Sequence, residues 1–101
     1  MAKTITARRP QFQFSSDVPK HWLPGAPFRT HLCNSFTLLF PTGEKFFIRS
    51  IQKFVTNIND DQLKADARAF IKQEAQHALE HEKFLANLRE QGYEIDSTLR
   101  L

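Results

Sequence analysis

The sequence predicts an all-α protein, built as a helical hairpin that follows an irregular, aromatic N-terminal arm. Only three glycines and five prolines occur among its 101 residues, which leaves room for long helices. Apolar residues recur in alternating steps of four and three along two stretches, the spacing of one helix face. Asn59, Asp60 and Asp61 lie between these stretches and offer capping side chains, so we expect the chain to turn there.

Residues 1–28 form the predicted arm, and residues 29–101 form the predicted hairpin. Four of the five prolines lie in the arm, where they interrupt regular secondary structure. Four aromatic side chains are the expected anchors of the arm: Phe12, Phe14, Trp22 and Phe28. We therefore expect an ordered segment that lies over the hairpin.

The first helical stretch runs from Thr30 to about Ile58. Pro41 lies inside it and is expected either to kink one helix or to occupy the first turn of a new one. Glu44 is the only charged residue on the apolar face of this stretch. The residues of that face are Phe36, Phe40, Glu44, Phe47, Ile51, Phe54 and Ile58.

The second helical stretch runs from Gln62 to about Gln91 and is expected to end at Gly92, a typical helix-ending residue. The residues of its apolar face are Leu63, Ala67, Phe70, Glu74, His77, His81, Phe84 and Leu88. A buried charge without a partner costs several kcal/mol or neutralises itself. The polar residues on both apolar faces therefore need an explanation.

A divalent metal site explains them. In an antiparallel hairpin, Glu44 comes to the same level as Glu74 and His77, about 24 Å from the turn. One helix that supplies Glu and a neighbour that supplies Glu-x-x-His form half of the two-metal site of ferritin-like bundles. Carboxylates bridge two ions and balance their charge, while each imidazole caps one ion.

Two other interpretations fit the same stretch. Glu44 can form a buried salt bridge with His77 or His81, without any metal. His77, Glu80 and His81 also fit H-x-x-E-H, in which two histidines hold zinc and the glutamate activates water. That arrangement needs a further protein ligand, and it leaves Glu44 and Glu74 unexplained.

Three motifs carry a family resemblance: HWLPGAP in the arm, FPTGEKFFIRSIQ around Glu44, and FIKQEAQHALEHEKFLANLREQGY around His77. From about Arg8 to Tyr93, the chain resembles the predicted metal-dependent hydrolases of ferritin-like fold. The resemblance implies that Glu44, Glu74 and His77 are ligands, with His81 as a further one.

The resemblance also implies hydrolysis, with Glu80 or His81 moving protons as catalytic residues. The expected cofactor is a divalent metal, first iron, with manganese or zinc as alternatives. Family chains are longer and carry helices for a second Glu and a second Glu-x-x-His. We therefore expect either that this chain is the N-terminal portion of a longer protein or that two copies each give half a site.

Three functions stay open from the sequence: a metal-dependent hydrolase, a di-iron oxidase or ferroxidase-like protein, and a non-catalytic helical self-association module. A lone hairpin would expose two phenylalanine-rich faces, so we expect a homo-oligomer, a dimer at least. The substrate is expected to be a small molecule of unknown identity.

Charge and composition indicate which other partners to expect. The formal charge is only +3 and acidic residues are interleaved with basic ones, so we expect no nucleic-acid partner. No apolar run reaches the roughly 20 residues that span a bilayer, so we expect no membrane partner. The single Cys33 cannot form a disulfide within one chain, which favours a reducing, cytoplasmic location.

Overall fold

Three α-helices make up the fold in the computed structural model, which describes residues 3–100. They are α1 (Pro27–Val55), α2 (Asp61–Glu90) and α3 (Ile95–Leu99). No strand occurs within the described residues. The two long helices pack along each other as a hairpin, which confirms the predicted all-α class.

Helix α1 is continuous through Pro41. The alternative of a new helix that begins at Pro41 is therefore wrong. Proline lacks a backbone N–H, so α1 loses one intrahelical hydrogen bond there, to the carbonyl of Thr37. The helix begins with Pro27, which suits the first turn because no intrahelical partner is needed for its nitrogen.

Helix α2 begins and ends within one residue of its predicted bounds. The side chain of Asp60 caps its start, where Oδ1 accepts a hydrogen bond of 2.9 Å from the backbone N–H of Leu63. At its end, Gly92 has a φ of +93°. This left-handed conformation lets the N–H of Tyr93 bond back to the carbonyl of Leu88.

The small apolar core lies where α3 returns to the end of α2. Its buried residues are Leu85, Leu88 and Ile95, and three partly buried residues, Leu38, Phe84 and Tyr93, pack around them. No helix is predicted from the sequence after Gly92, so α3 is a departure from the expected fold. Burial of Ile95, rather than helix propensity over five residues, accounts for this short helix.

The arm runs along α2. Four polar side chains of α2, spaced seven residues apart, form hydrogen bonds with the backbone of the arm. Two helical turns separate successive members, so all four lie on one side of α2. The pairs are Asp66 with Ile5, Gln73 with Arg8, Glu80 with Phe12, and Asn87 with Ser15. From Asp66 to Asn87, α2 rises about 31 Å over 21 residues. The arm covers the same distance in the ten residues from Ile5 to Ser15, or about 3.1 Å per residue, which is the rise of an extended chain.

Two of the four predicted aromatic anchors hold the arm. The rings of Phe14 and Trp22 lie 5.4 Å and 6.3 Å from that of Phe84, edge to face. The other two assignments are wrong. Phe12 is 60% exposed and attaches through its backbone N–H, while Phe28 is 77% exposed and lies in the first turn of α1.

Several residues of the two predicted apolar faces remain accessible in the single chain. Phe36, Phe40, Phe47, Phe54 and Leu63 are between 41 and 58% exposed. The hairpin packs these residues only in part, as expected for two helices without a further layer. Among the described residues, no helix combines the length and the apolar character that crossing a membrane requires.

Candidate metal centre

Glu44 lies in the middle of α1 and is 5% exposed. Its Oε1 lies 3.2 Å from Nδ1 of His77 and 3.2 Å from Nε2 of His81, both on α2. Its Oε2 is buried and has no hydrogen-bond partner. Since an unpaired buried carboxylate oxygen is costly, the site is one that a bound cation would stabilise.

His77 and His81 lie one helical turn apart on α2 and face each other. Their Nε2 atoms are 2.9 Å apart and their ring centroids 4.5 Å apart. When both rings are neutral, only one of these nitrogens carries a hydrogen, so one ring donates and the other accepts. Both lone pairs become available to one cation when that hydrogen moves to Nδ1 of the same ring, which gives the other neutral tautomer.

The three side chains form a set of donors that fits one metal ion. One ligand atom from each of Glu44, His77 and His81 lies within 4.8 Å of the other two. Two nitrogens separated by 2.9 Å can both bond one ion at about 2.0–2.1 Å, the usual metal–imidazole distance. Two imidazoles and one carboxylate are the protein ligands of catalytic zinc sites and of mononuclear iron sites.

The electrostatics of the cluster favour a bound cation. Burial raises the pKa of the Glu44 carboxyl, with His77 acting in the opposite direction and the carboxylates of Glu74 and Glu82 adding to the rise. Burial, followed by the charge of His77, lowers the pKa of His81. A divalent cation would favour the ionised carboxylate and the neutral imidazole, so metal binding releases protons from such a site.

Glu74 lies beside the cluster but outside the set of three. Its Oε2 is 3.8 Å from Nδ1 of His77, one turn along α2. Glu74, Glu44, His77 and His81 line one cavity of about 400 Å³, together with Leu39, Phe40, Gly43 and Phe47. The structure thus gathers three predicted ligand residues closely and places the fourth at their edge.

Glu80 lies elsewhere, although it is adjacent to His81 in sequence. Its Oε2 accepts a hydrogen bond of 3.1 Å from the backbone N–H of Phe12, and its Oε1 accepts one of 2.8 Å from Lys83. The hydrogen bond from Lys83 is the main reason that the pKa of Glu80 is lowered. Its catalytic role stays a prediction, and its hydrogen bonds tie it to the arm.

The hydrogen bonds that attach the arm to α2 were not predicted from the sequence. The signal was the polar series Asp66, Gln73, Glu80 and Asn87, which repeats every seven residues. Such a series is usually a solvated helix face. In this chain it supplies hydrogen-bond partners to an extended backbone that runs beside it.

The model of a family described as predicted metal-dependent hydrolase matches residues 6–101. No curated protein and no solved structure matches the chain. The matched region contains both long helices and every residue of the candidate metal centre.

Proposed function

Because the chain belongs to the family of predicted metal-dependent hydrolases, we propose that it hydrolyses a small-molecule substrate with a divalent metal ion held by Glu44, His77 and His81. The observation that carries the proposal is the buried Oε2 of Glu44, which lacks a partner beside two imidazoles. A purely structural ion pair would be expected to satisfy both oxygens of a carboxylate buried so deeply.

Each residue has a distinct part in the proposal. A bound divalent ion makes water a better nucleophile at neutral pH and polarises an oxygen of the substrate. Glu44 supplies negative charge inside the hairpin, and His77 presents its ring at the more exposed side of the cluster. Because its pKa is lowered, His81 stays neutral near pH 7, the state that a ligand needs. We therefore favour the ligand role of His81 over its proton-carrying role.

Glu74 completes the proposed site as a fourth, carboxylate ligand. Oε2 of Glu74 lies 3.8 Å from Nδ1 of His77. A modest movement of the Glu74 side chain would bring its carboxylate into contact with an ion bound to His77. The variant Glu74→Gln tests this role, because a lost ligand weakens metal binding. A fall in kcat at unchanged metal affinity would instead assign Glu74 to proton transfer.

We propose in addition that Glu44 with Glu74-x-x-His77 acts as half of a ferritin-like centre, completed when two hairpins pair as a dimer. The exposed side chains of Phe46, Phe47 and Phe54 on α1 support this pairing, because accessible apolar side chains beside a polar cluster favour association. The mass of the assembly, read from its elution in gel filtration with light scattering, tests the pairing. A monomer at every concentration would exclude it.

A second candidate function is iron-dependent oxygen chemistry, which the donor set favours. Two histidines and one carboxylate with open positions are typical of oxygen-activating iron proteins. We propose iron as the metal, with manganese or zinc as alternatives. Iron with oxygen consumption would support the second function, whereas ester or amide hydrolysis with any of the three ions would support the first.

The experiment that tests the proposed function combines metal content with activity. The gel-filtered chain is analysed by elemental mass spectrometry, stripped with a chelator, reloaded with each ion and assayed on 4-nitrophenyl acetate. We expect about one ion per chain and hydrolysis that is lost on stripping and restored on reloading. His77→Ala should lose both, while His31→Ala, a control outside the cluster, should keep both. A metal-free chain that cannot be reloaded would refute the proposal.

A further inference from the structure

A second cavity lies directly beside the metal centre. Its volume is about 410 Å³, within the range of cavities that bind small molecules. The arm contributes Trp22 to its lining, and α1 and α2 contribute the rest. The residues that define it are Trp22, Cys33, Phe36, Thr37, Phe40, His81 and Phe84. We call it the aromatic cavity.

Two residues connect the aromatic cavity with the metal centre. Phe40 and His81 line both cavities, and their ring centroids are 4.8 Å apart. Nε2 of His81 lies 3.2 Å from Oε1 of Glu44, while the ring of His81 also borders the aromatic cavity. A molecule of moderate size can therefore reach both spaces at once.

The lining of the aromatic cavity favours an apolar occupant. The indole N–H of Trp22 already donates to Oδ1 of Asn34 at 2.9 Å, and the hydroxyl of Thr37 donates to the carbonyl of Asn34 at 2.6 Å. Both polar hydrogens are thus used within the protein. The accessible surface of the walls is almost entirely apolar, so a charged or strongly polar group would gain few partners there, whereas an aromatic ring would pack against aromatic side chains.

We propose that the aromatic cavity binds the apolar part of the substrate, an aromatic ring or a branched alkyl group, while the polar end of the same molecule lies at the metal centre. The position of the polar end rests on the proposed function, because that function requires a metal ion at Glu44, His77 and His81. The substrate class is then an amphipathic small molecule, with its hydrolysable group one short linkage away from a ring-sized apolar group.

The chain provides its own reporter for this test. Trp22 is the single tryptophan of the sequence and lines the aromatic cavity. The probe is 3-(4-iodophenyl)propan-1-ol, whose iodine quenches indole fluorescence on contact. Titration of the metal-stripped chain should give saturable quenching. Fluorescence is read without metal and without turnover, so this result does not depend on the proposed function.

Two variants locate the bound probe. Cys33→Phe fills the aromatic cavity and should weaken probe binding at least tenfold. Leu32→Phe makes a similar change at an exposed neighbour that does not line the cavity, and it should bind as the parent chain does. Non-saturable quenching, or equal binding by both variants, would overturn the inference.

Circular dichroism shows whether Cys33→Phe folds. If it does not fold, a third variant takes its place in the test. Phe36 is about half exposed, so Phe36→Ala removes one wall of the aromatic cavity without touching the core. This variant should weaken the one-ring probe several-fold and shift preference toward a probe with a two-ring iodobiphenyl group. An unchanged preference would count against the inference.

The connection to the metal centre is tested with 3-(4-iodophenyl)propanoate, whose carboxylate can reach an ion at Glu44 and His81. Reloading with zinc should tighten binding of this probe at least tenfold and leave the alcohol probe unchanged. Equal affinity with and without bound zinc would overturn the proposed link between the two cavities. If zinc does not bind at all while the alcohol still binds through the aromatic cavity, the metal function fails and the apolar site stands.

Discussion

Glu44 and Glu80 are both almost fully buried in the middle of a long helix, but their surroundings differ. Glu44 is 5% exposed and Glu80 is 8% exposed. Both oxygens of Glu80 hold hydrogen bonds, one from the arm and one from Lys83. Glu44 meets two imidazoles through one oxygen and leaves the other without a partner. Depth of burial therefore does not distinguish a candidate ligand carboxylate, whereas an oxygen without a hydrogen-bond partner beside two imidazoles does.

The same contrast appears in the acidity of the two groups. The pKa of Glu44 is raised because its burial disfavours the charged form. The pKa of Glu80 is lowered, first of all because Lys83 donates a hydrogen bond to its charged form. Glu80 is thus stabilised as a carboxylate by the protein alone, and Glu44 would be stabilised as a carboxylate by a cation.

The largest expected difference between the two is in metal affinity. Glu44→Gln removes a charged ligand and should weaken metal binding by more than about 100-fold, above the range typical of residues that only support a ligand. Glu80→Gln is the matched control, with the same change at similar depth, and should leave affinity unchanged. Isothermal titration of zinc into each stripped variant measures both. Equal losses in the two variants would remove the distinction between the two carboxylates.

The next effect is on the stability of the metal-free chain. Glu44→Leu replaces a poorly satisfied buried carboxyl by an apolar group of similar size, and should raise the free energy of unfolding by about 1 kcal/mol. Denaturation by urea in the presence of a chelator measures this change. Marked destabilisation would mean that the Glu44 and histidine contacts are structural and would favour the salt-bridge interpretation.

A smaller and more local effect is expected at Glu80. Glu80→Ala leaves the backbone N–H of Phe12 and the ammonium group of Lys83 without their shared acceptor. Amide hydrogens of the arm near Phe12 should exchange several-fold faster, because this contact no longer holds the arm on α2. Glu44→Ala should leave exchange in the arm unchanged. Faster exchange in both variants would show that the arm depends on the hairpin as a whole.

The smallest effect is an opposite dependence on pH. The raised pKa of Glu44 means that its contribution to stability is present below pH 4.5 and is lost as pH rises through the folded-state value. The lowered pKa of Glu80 means that its contribution is present above pH 4.5 and is lost as pH falls through the folded-state value.

Unfolding of the metal-free parent chain is compared with that of Glu44→Gln and Glu80→Gln from pH 3.5 to 6.5. The stability difference between parent and variant should fall with rising pH for Glu44 and increase with rising pH for Glu80. Parallel curves for the two variants would contradict the assigned causes of the pKa shifts.

The sequence predicted the parts of the fold that depend on local signals. Asp60 caps α2 and Gly92 ends it, as side-chain chemistry and backbone freedom require. The meeting of Glu44 with His77 also follows from sequence, because the rise per residue is the same in both helices of a hairpin.

The remaining features depend on contacts that no local signal encodes. Glu74 lies three residues before His77 and His81 lies four residues after it, and both spacings place side chains on the same helix face. Spacing alone therefore could not decide which of the two lies closer to Glu44 and His77. The hydrogen bond from Phe12 to Glu80 depends on the path of an extended arm, which has no periodicity of its own. Helix α3 depends on burial of Ile95 against the end of α2.

The most direct test of the central claim is X-ray absorption at the zinc edge of the chain loaded with one ion. Glu44, His77 and His81 predict scattering from two imidazole rings in a first shell of nitrogen and oxygen near 2.0–2.1 Å. His81→Ala should reduce the imidazole scattering to that of one ring. A spectrum without imidazole scattering, or one that this substitution leaves unchanged, would contradict a metal centre built on the two histidines and Glu44.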